Sequence, residues 1–220
     1  MKIAQKVLLA VTFIFATSFS FTQAQIKIGA KAGLNSSMYN DSQQGYVNQW
    51  PLAGYNVGLI SEITLKNNLF LQPGILFSTK GSNYNMADDY DQYITSNVEI
   101  PVNLLYKYNV QSVKLFGFAG PYIALAVSGK ARYYHTYYPI DFSSDNRYLN
   151  SLDYGLNFGL GVEVSHFQIS AQFGLGLANL YHTAAKYTYY YETYNLHPDD
   201  ILTQNRVIGI SVGYLFGVNK

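Results

Sequence analysis

The sequence predicts an all-β fold: an eight-stranded antiparallel up-and-down barrel that crosses a membrane with its strands. Three observations predict it. Apolar residues recur at every second position over long runs, which is the period of a strand. The opposite row of those runs is glycine or small and polar. Charge is scarce: Asp, Glu, Lys and Arg make up 12% of the 220 residues, where a soluble domain carries about 25%.

Composition also excludes several classes. Fourteen basic and 13 acidic residues leave a net charge of +1, so no basic field exists for nucleic acid and no nucleic-acid partner is expected. Cysteine is absent, which removes disulfides, thiolate metal sites and Cys nucleophiles. Aromatics reach 16%, and 22 residues are Tyr.

The chain opens with Lys2 and Lys6, an apolar stretch over 7–16, then Ser18, Ser20, Thr22 and Gln23-Ala24-Gln25. That is the layout of a secretory signal peptide cleaved after Ala24. The apolar stretch is short for a spanning helix, which needs roughly 20 residues. The expected organisation is a signal peptide over 1–24 and one barrel domain over 25–220.

Eight strands follow, over 26–38, 53–65, 69–80, 94–107, 113–128, 152–166, 167–181 and 205–217. Each is long enough for a tilted membrane strand of about 9–11 residues. The second run carries Tyr55, Val57, Leu59, Ile63 and Leu65 in one row; the fourth carries Val98, Ile100, Val102, Leu104 and Tyr106. The sixth has Tyr154, Leu156, Phe158, Leu160, Val162 and Val164, and the seventh Phe167, Ile169, Ala171, Phe173, Leu175 and Leu177. The eighth has Ile208, Ile210, Val212, Tyr214 and Phe216. The fifth is mixed, because Phe116, Phe118 and Tyr122 share a row with Lys114.

Charges test this division. Ten fall inside the runs, and nine of them lie opposite the apolar row: Lys27, Lys31, Glu62, Lys80, Glu99, Lys107, Lys114, Asp153 and Glu163. Arg206 is the exception, at a strand end where a long side chain reaches water. A soluble barrel would show the Gly, Ser, Asn and Gln row to solvent, a surface with too few charges for a soluble protein. The inverse arrangement fits: the apolar row meets lipid and the polar row fills a narrow lumen.

The connections alternate in length. Long segments span 39–52, 81–93, 129–151 and 182–204; short ones fall at 66–68, 108–112 and 165–167. Long loops at one end and tight turns at the other place such a barrel in an outer membrane, with lipid as its first partner. Pro73, Pro101 and Pro121 fall within strands, where each removes a donor, so bulges or bends are expected there.

Several stretches carry a resemblance: Lys31-Ala32-Gly33-Leu34-Asn35, Leu71-Gln72-Pro73-Gly74 with Ser78-Thr79-Lys80-Gly81, Glu99-Ile100-Pro101-Val102-Asn103, Gly120-Pro121-Tyr122, and Asp153-Tyr154-Gly155 with Gly159 and Gly161. In this order the chain resembles the small outer-membrane β-barrel family of Bacteroidetes, the porin-family or PorT-like proteins. The resemblance implies an eight-stranded barrel in the outer membrane and strand prolines as a family habit. It carries over no catalytic residue. The chain departs from the usual aromatic C-terminus, since Gly217 to Lys220 follow Phe216.

Eight strands leave an interior that side chains fill, so a salt-bridged lumen is expected over Lys31, Glu62, Lys80, Glu99, Lys114 and Glu163. Lys31 and Glu62 should lie low on neighbouring strands, as should Lys114 and Glu163. Fifteen of the 22 Tyr lie in the four long segments. Tyr134, Tyr137, Tyr138, Tyr189, Tyr190 and Tyr191 are the expected recognition residues, because Tyr offers large contact area at few rotatable bonds. An extracellular protein or glycan would bind through 129–151 and 182–204; strands extending past the membrane are the other explanation of these tyrosines. No enzyme, cofactor or metal site is expected, and the chain is expected to be a monomer. His135, His166, His182 and His197 are the available imidazoles, and Ser165 should point away from His166. Asp88, Asp89 and Asp91, like Asp199 and Asp200, read as solvated loop acids. Two rival readings are a secreted soluble barrel with an apolar ligand inside, and an accessory role in envelope protein export.

Overall fold

The computed structural model describes residues 25–41, 48–86, 89–133, 135–142, 149–180 and 202–217. The signal segment over 1–24 lies outside them. Nine strands form: β1 Ile26–Asp41, β2 Asn48–Lys66, β3 Leu69–Met86, β4 Asp89–Val110, β5 Val113–Tyr133, β6 Thr136–Pro139, β7 Leu152–Val164, β8 Phe167–Gly176 and β9 Thr203–Phe216. Each main strand pairs antiparallel with its chain neighbours, and β1 closes on β9 from Ile28–Phe216 to Asp41–Thr203. β6 stands outside this ring. It pairs only with the upper part of β5, beyond the stretch of β5 that pairs with β7. The ring itself therefore has eight strands, and closure leaves it no free edge.

The two rows separate as predicted. Leu34, Leu59, Leu160, Ile208 and Ile210 are exposed on the outside, while Lys31, Glu62, Lys80, Glu99, Lys107, Asp153 and Glu163 are buried inside. An exterior of this kind suits lipid, and an interior of paired charges suits a filled lumen. The mixed fifth run is resolved by shape. Phe116, Phe118 and Tyr122 face inward with Lys114, and their cross-strand partners on β7 are Gly161, Gly159 and Gly155. A Cβ at Gly159 or Gly161 would fall 2.3 Å from the facing phenylalanine ring. The apolar–small pairing across two strands, not the pattern along one, places these rings in the lumen.

Three expectations need correction. First, the described residues of the segments expected to be loops include strand over 39–41, 48–52, 81–86, 89–93, 129–133 and 136–139: β3 runs to Met86 and β4 starts at Asp89. Ser, Asn and Asp in these segments resemble turn formers, yet hairpin pairing continues past the lipid because Tyr and Thr fit a pleated surface. Asp91 consequently sits buried on β4 and is not a solvated loop acid. Second, β8 stops at Gly176, short of 181. The chain then turns inward, and Ala178 and Leu180 join Tyr39 and Leu149 in a buried cluster. Third, the register passes Pro73, Pro101 and Pro121 without a shift. The bulges fall instead between Pro51 and Asn56, between Thr64 and Lys66, and between Ser96 and Asn97. Pro73 and Pro101 sit beside gaps in the β3–β4 ladder, so a missing donor is absorbed by a skipped rung.

The tight turns follow at Asn67-Asn68, Gln111-Ser112 and Ser165-His166. Gln111 and Ser165 take φ of 52° and 56°, the sign a two-residue hairpin needs at its first position.

Candidate functional site: the charged lumen and the external rim

Inward side chains assemble two charged clusters, one above the other. The lower is centred on Lys107 of β4. Its Nζ donates to both oxygens of Glu62 at 2.6 Å and to Glu163 Oε2. Glu62 is on β2 and Glu163 on β7, so one ammonium ties strands on either side of β4. Gln168 Nε2 donates to Glu62 Oε2 at 3.0 Å and to Glu163 Oε2 at 2.9 Å. Gln72 Nε2 donates to Gln168 Oε1 at 3.1 Å. Lys114 Nζ reaches Glu163 Oε1 at 2.9 Å from the rim, its side chain 42% exposed. The Phe70 ring lies 4.6 Å from Lys107 Nζ.

The upper cluster is centred on Lys80 of β3, which meets Glu99 Oε2 at 2.6 Å and Asp153 Oδ2 at 3.6 Å. Tyr122 places its ring 4.5 Å from Lys80 Nζ and donates its hydroxyl to Asp153 Oδ2 at 3.2 Å. Asn205 Nδ2 donates to the same oxygen at 2.8 Å. Between the clusters Lys31 Nζ donates to Gln172 Oε1 at 3.2 Å. Lys31 and Glu62 lie on the paired strands β1 and β2, where Lys31 stands opposite Gly58 and Lys27 opposite Glu62. The expected pair Lys114–Glu163 is formed between register partners.

Lys31, Lys80, Lys107 and Lys114 balance Glu62, Glu99, Asp153 and Glu163, so these eight charges cancel. Burying them is tolerable only because each carboxylate is paired or hydrogen-bonded. Among the described residues, the cavity beside Lys80 and Glu99 and the one beside Tyr39 and Asp153 each hold about 10 Å³, room for about one water. Sequence reasoning placed Lys107 and Asp153 in the inner row without naming them as site residues. Their central roles, and those of Gln72 and Gln168, depend on contacts 5 to 106 residues apart.

Above the upper cluster Tyr39, Leu149, Ala178 and Leu180 pack together, with Tyr84, Tyr93, Ile140 and Phe142 against them. Tyr137 and Tyr138 lie on β6 and are exposed. Tyr134, Tyr189, Tyr190 and Tyr191 lie outside the described residues, as do His182, His197, Asp88, Asp199 and Asp200. Ser165 and His166 meet, contrary to expectation: Ser165 Oγ is 2.9 Å from His166 Nδ1. They form a turn, so the strand rule of opposite faces does not apply. His166 stacks on Tyr214, and among the described residues no carboxylate is paired with its other ring nitrogen. Among the described residues no group of three or more His, Asp or Glu could hold a metal.

A closed ring with an apolar exterior and a filled polar lumen defines an integral outer-membrane β-barrel. The chain belongs to the outer membrane protein beta-barrel domain family, whose model matches residues 15–182. Its outer-membrane location follows from that membership. Neisserial surface protein A is similar in fold, with TM-score 0.47 at 10% identity, covering 86% of this chain and 97% of that one. OprG of Pseudomonas aeruginosa has TM-score 0.46 at 11% identity, covering 89% and 98%. Ail of Yersinia pestis has TM-score 0.43 at 13% identity, covering 87% and 99%. No curated protein matches the sequence.

Proposed function

We propose that this protein is a non-enzymatic, closed outer-membrane barrel whose work is done at its external rim. The observation that carries this reading is the lumen. Its paired charges cancel, and the cavity beside Lys80 and Glu99 and the one beside Tyr39 and Asp153 hold about 10 Å³ each, room for about one water apiece. A solute cannot pass such an interior without breaking several buried pairs. A monomer suffices for the role, because the ring closes on itself. The stretches from Lys31 to Gly161 support placement in the PorT-like branch of Bacteroidetes, and the first 24 residues support export with cleavage after Ala24.

Binding of an extracellular protein or glycan belongs to the segments 129–151 and 182–204, where tyrosines concentrate. The exposure of Tyr137 and Tyr138 favours it. Planar-bilayer recording tests the closed lumen: the purified protein should give no steady conductance. Steady channels that vanish on Glu62→Gln would overturn it. Deletion of 182–204 tests the rim: cell adhesion and ligand binding should fall, and unchanged values would refute recognition there.

A further inference from the structure

We propose that a hollow on the lipid-facing side of β5, β7 and β8 seats one acyl chain of a phospholipid from the leaflet at the tight-turn end of the barrel. The inference goes beyond the reading of the rim and rests on the outer-membrane location. The hollow holds about 520 Å³, and Gly117, Phe158, Leu160, Ala171 and Phe173 line it. That is the size of a small-molecule site, roughly 300–1,000 Å³. Register explains its shape. Tyr106, Gly117, Leu160 and Ala171 share one rung across β4, β5, β7 and β8, so large and small side chains alternate. The rung above carries Ala119, Phe158 and Phe173, and the rung below carries Leu115, Val162 and Ile169. The missing bulk at Gly117 and Ala171 leaves a dip beneath the two phenylalanines and above Leu115 and Ile169.

The chemistry of the walls selects the occupant. Gln172 also borders the hollow, but its amide turns to the lumen, where Oε1 accepts from Lys31 Nζ at 3.2 Å. The other lining residues are glycine, alanine, leucine and phenylalanine. A polypeptide laid there would leave its backbone groups unpaired, whereas a run of methylenes has none to satisfy. Water is not being expelled, so the gain comes from packing: a dip surrounds a chain more closely than a flat wall does. Height selects the leaflet. Val113, Val164 and Phe167 form the rung at the foot of these strands. Phe167 and Phe216 are exposed there, and the Tyr214 ring lies between them, 4.9 Å and 5.0 Å from their centres. Such an aromatic belt marks the membrane–water interface. Gly117 and Ala171 stand four residues above that rung on their own strands. That is about 13 Å along the strand, or about 10 Å in height at a tilt of about 40°. The apolar band of such a barrel is about 25 Å tall, so the hollow opens in its lower half. A lipid with its headgroup at the belt brings the middle of its chain to that depth.

The test folds the full mature chain into phosphatidylethanolamine vesicles containing the same lipid with a diazirine at mid-chain. Light-driven crosslinks are then mapped by peptide mass spectrometry. Lipid that merely surrounds the barrel labels every lipid-facing strand evenly. A seated chain should label β7 and β8 roughly fivefold above β1 and β2. Gly117→Val combined with Ala171→Leu fills the dip and should return the labelling to the even level. A Cβ at Gly117 meets Leu160 Cδ2 at 3.4 Å and Gly159 O at 3.9 Å, ordinary contact that the fold accommodates. Ala30→Leu, at an exposed position of β1, should leave the preference unchanged. Asymmetric vesicles with the labelled lipid confined to one leaflet separate the sources: the preference should appear only from the leaflet at the tight-turn end. Even labelling of the wild type, an unchanged preference in the filled variant, the same preference from the opposite leaflet, or a dimer crosslinked through this face would each overturn the proposal. Folding is read from heat-dependent gel migration. If the double variant does not fold, Gly117→Ala and Ala171→Val carry the comparison. A folded, membrane-inserted protein without a labelling preference sinks this site and leaves the barrel reading standing; a wild type that never inserts sinks both.

Discussion

Lys107 holds two buried carboxylates at once, and both are 1% exposed. Its removal leaves Glu62 without a cation in the lumen and Glu163 with Lys114 alone. Lys107→Met should therefore destabilise the barrel by about 3–5 kcal/mol, the cost of breaking a buried pair from one side. Lys114→Met should cost far less, because that side chain is 42% exposed and the partner keeps Lys107. Urea unfolding of the protein folded into vesicles separates the two; equal losses would show that Lys107 is not the centre of the cluster. A second residue-scale prediction concerns shape. Gly161→Ala puts a Cβ 2.3 Å from the Phe116 ring and 2.5 Å from Ile169 O. Overpacking of this kind costs about 1–3 kcal/mol. Phe116→Leu should recover part of it, which a double-mutant cycle detects as coupling. Additive losses would mean that the backbone contact alone sets the penalty. The alternation in β5 could not reveal this pairing, since Phe116 looks apolar whichever side it faces.

At the scale of elements, the strands are read from one face each. Leu59 lies midway along β2 and is 63% exposed to lipid. Leu59→Arg should cost about 2–4 kcal/mol, the depth-dependent penalty of a cation at the bilayer midplane. A smaller loss in vesicles than in Leu59→Ala would place this face away from the lipid core. β6 makes a contrasting case. It pairs with β5 only from Lys130–Pro139 to Tyr133–Thr136 and contributes nothing to the ring closure at β1–β9. Replacing 134–148 by a short linker should leave heat-dependent gel migration unchanged. Loss of the folded band would make β6 part of the barrel's stability. Ser, Asn and Asp signal turns along a chain, while pairing depends on the strand alongside, so these extensions read as loops in the sequence and pair as strands in the fold.

For the whole molecule, closure makes the barrel an all-or-none unit: every ring strand has two neighbours, and the backbone is satisfied only when the last meets the first. The mature chain should therefore remain in the outer-membrane fraction after an alkaline carbonate wash. Release into the wash would contradict a lipid-facing apolar row. The same closure explains why the lumen is a network. Lys80 reaches Glu99 on the adjacent strand and Asp153 on β7, and Gln72 of β3 reaches Gln168 of β8. Such links stiffen the ring from within, while lipid contact stabilises it from outside.

Outside β5, the sequence by itself determined which row of side chains faces lipid and which faces inward, and it determined where the tight turns fall and that the charges lie inside. These are local properties: a period of two needs only the order of residues. Lys31, Glu62, Lys80, Glu99, Lys114 and Glu163 were all legible in this way. Partnership was not. That Lys107 bridges Glu62 and Glu163, that Lys31 turns to Gln172, and that Leu180 folds into a cluster with Tyr39 were decided by the tertiary structure. Those contacts depend on register and on the stagger of the closed ring, which bring together residues far apart in the chain. No periodicity along a single strand encodes that distance.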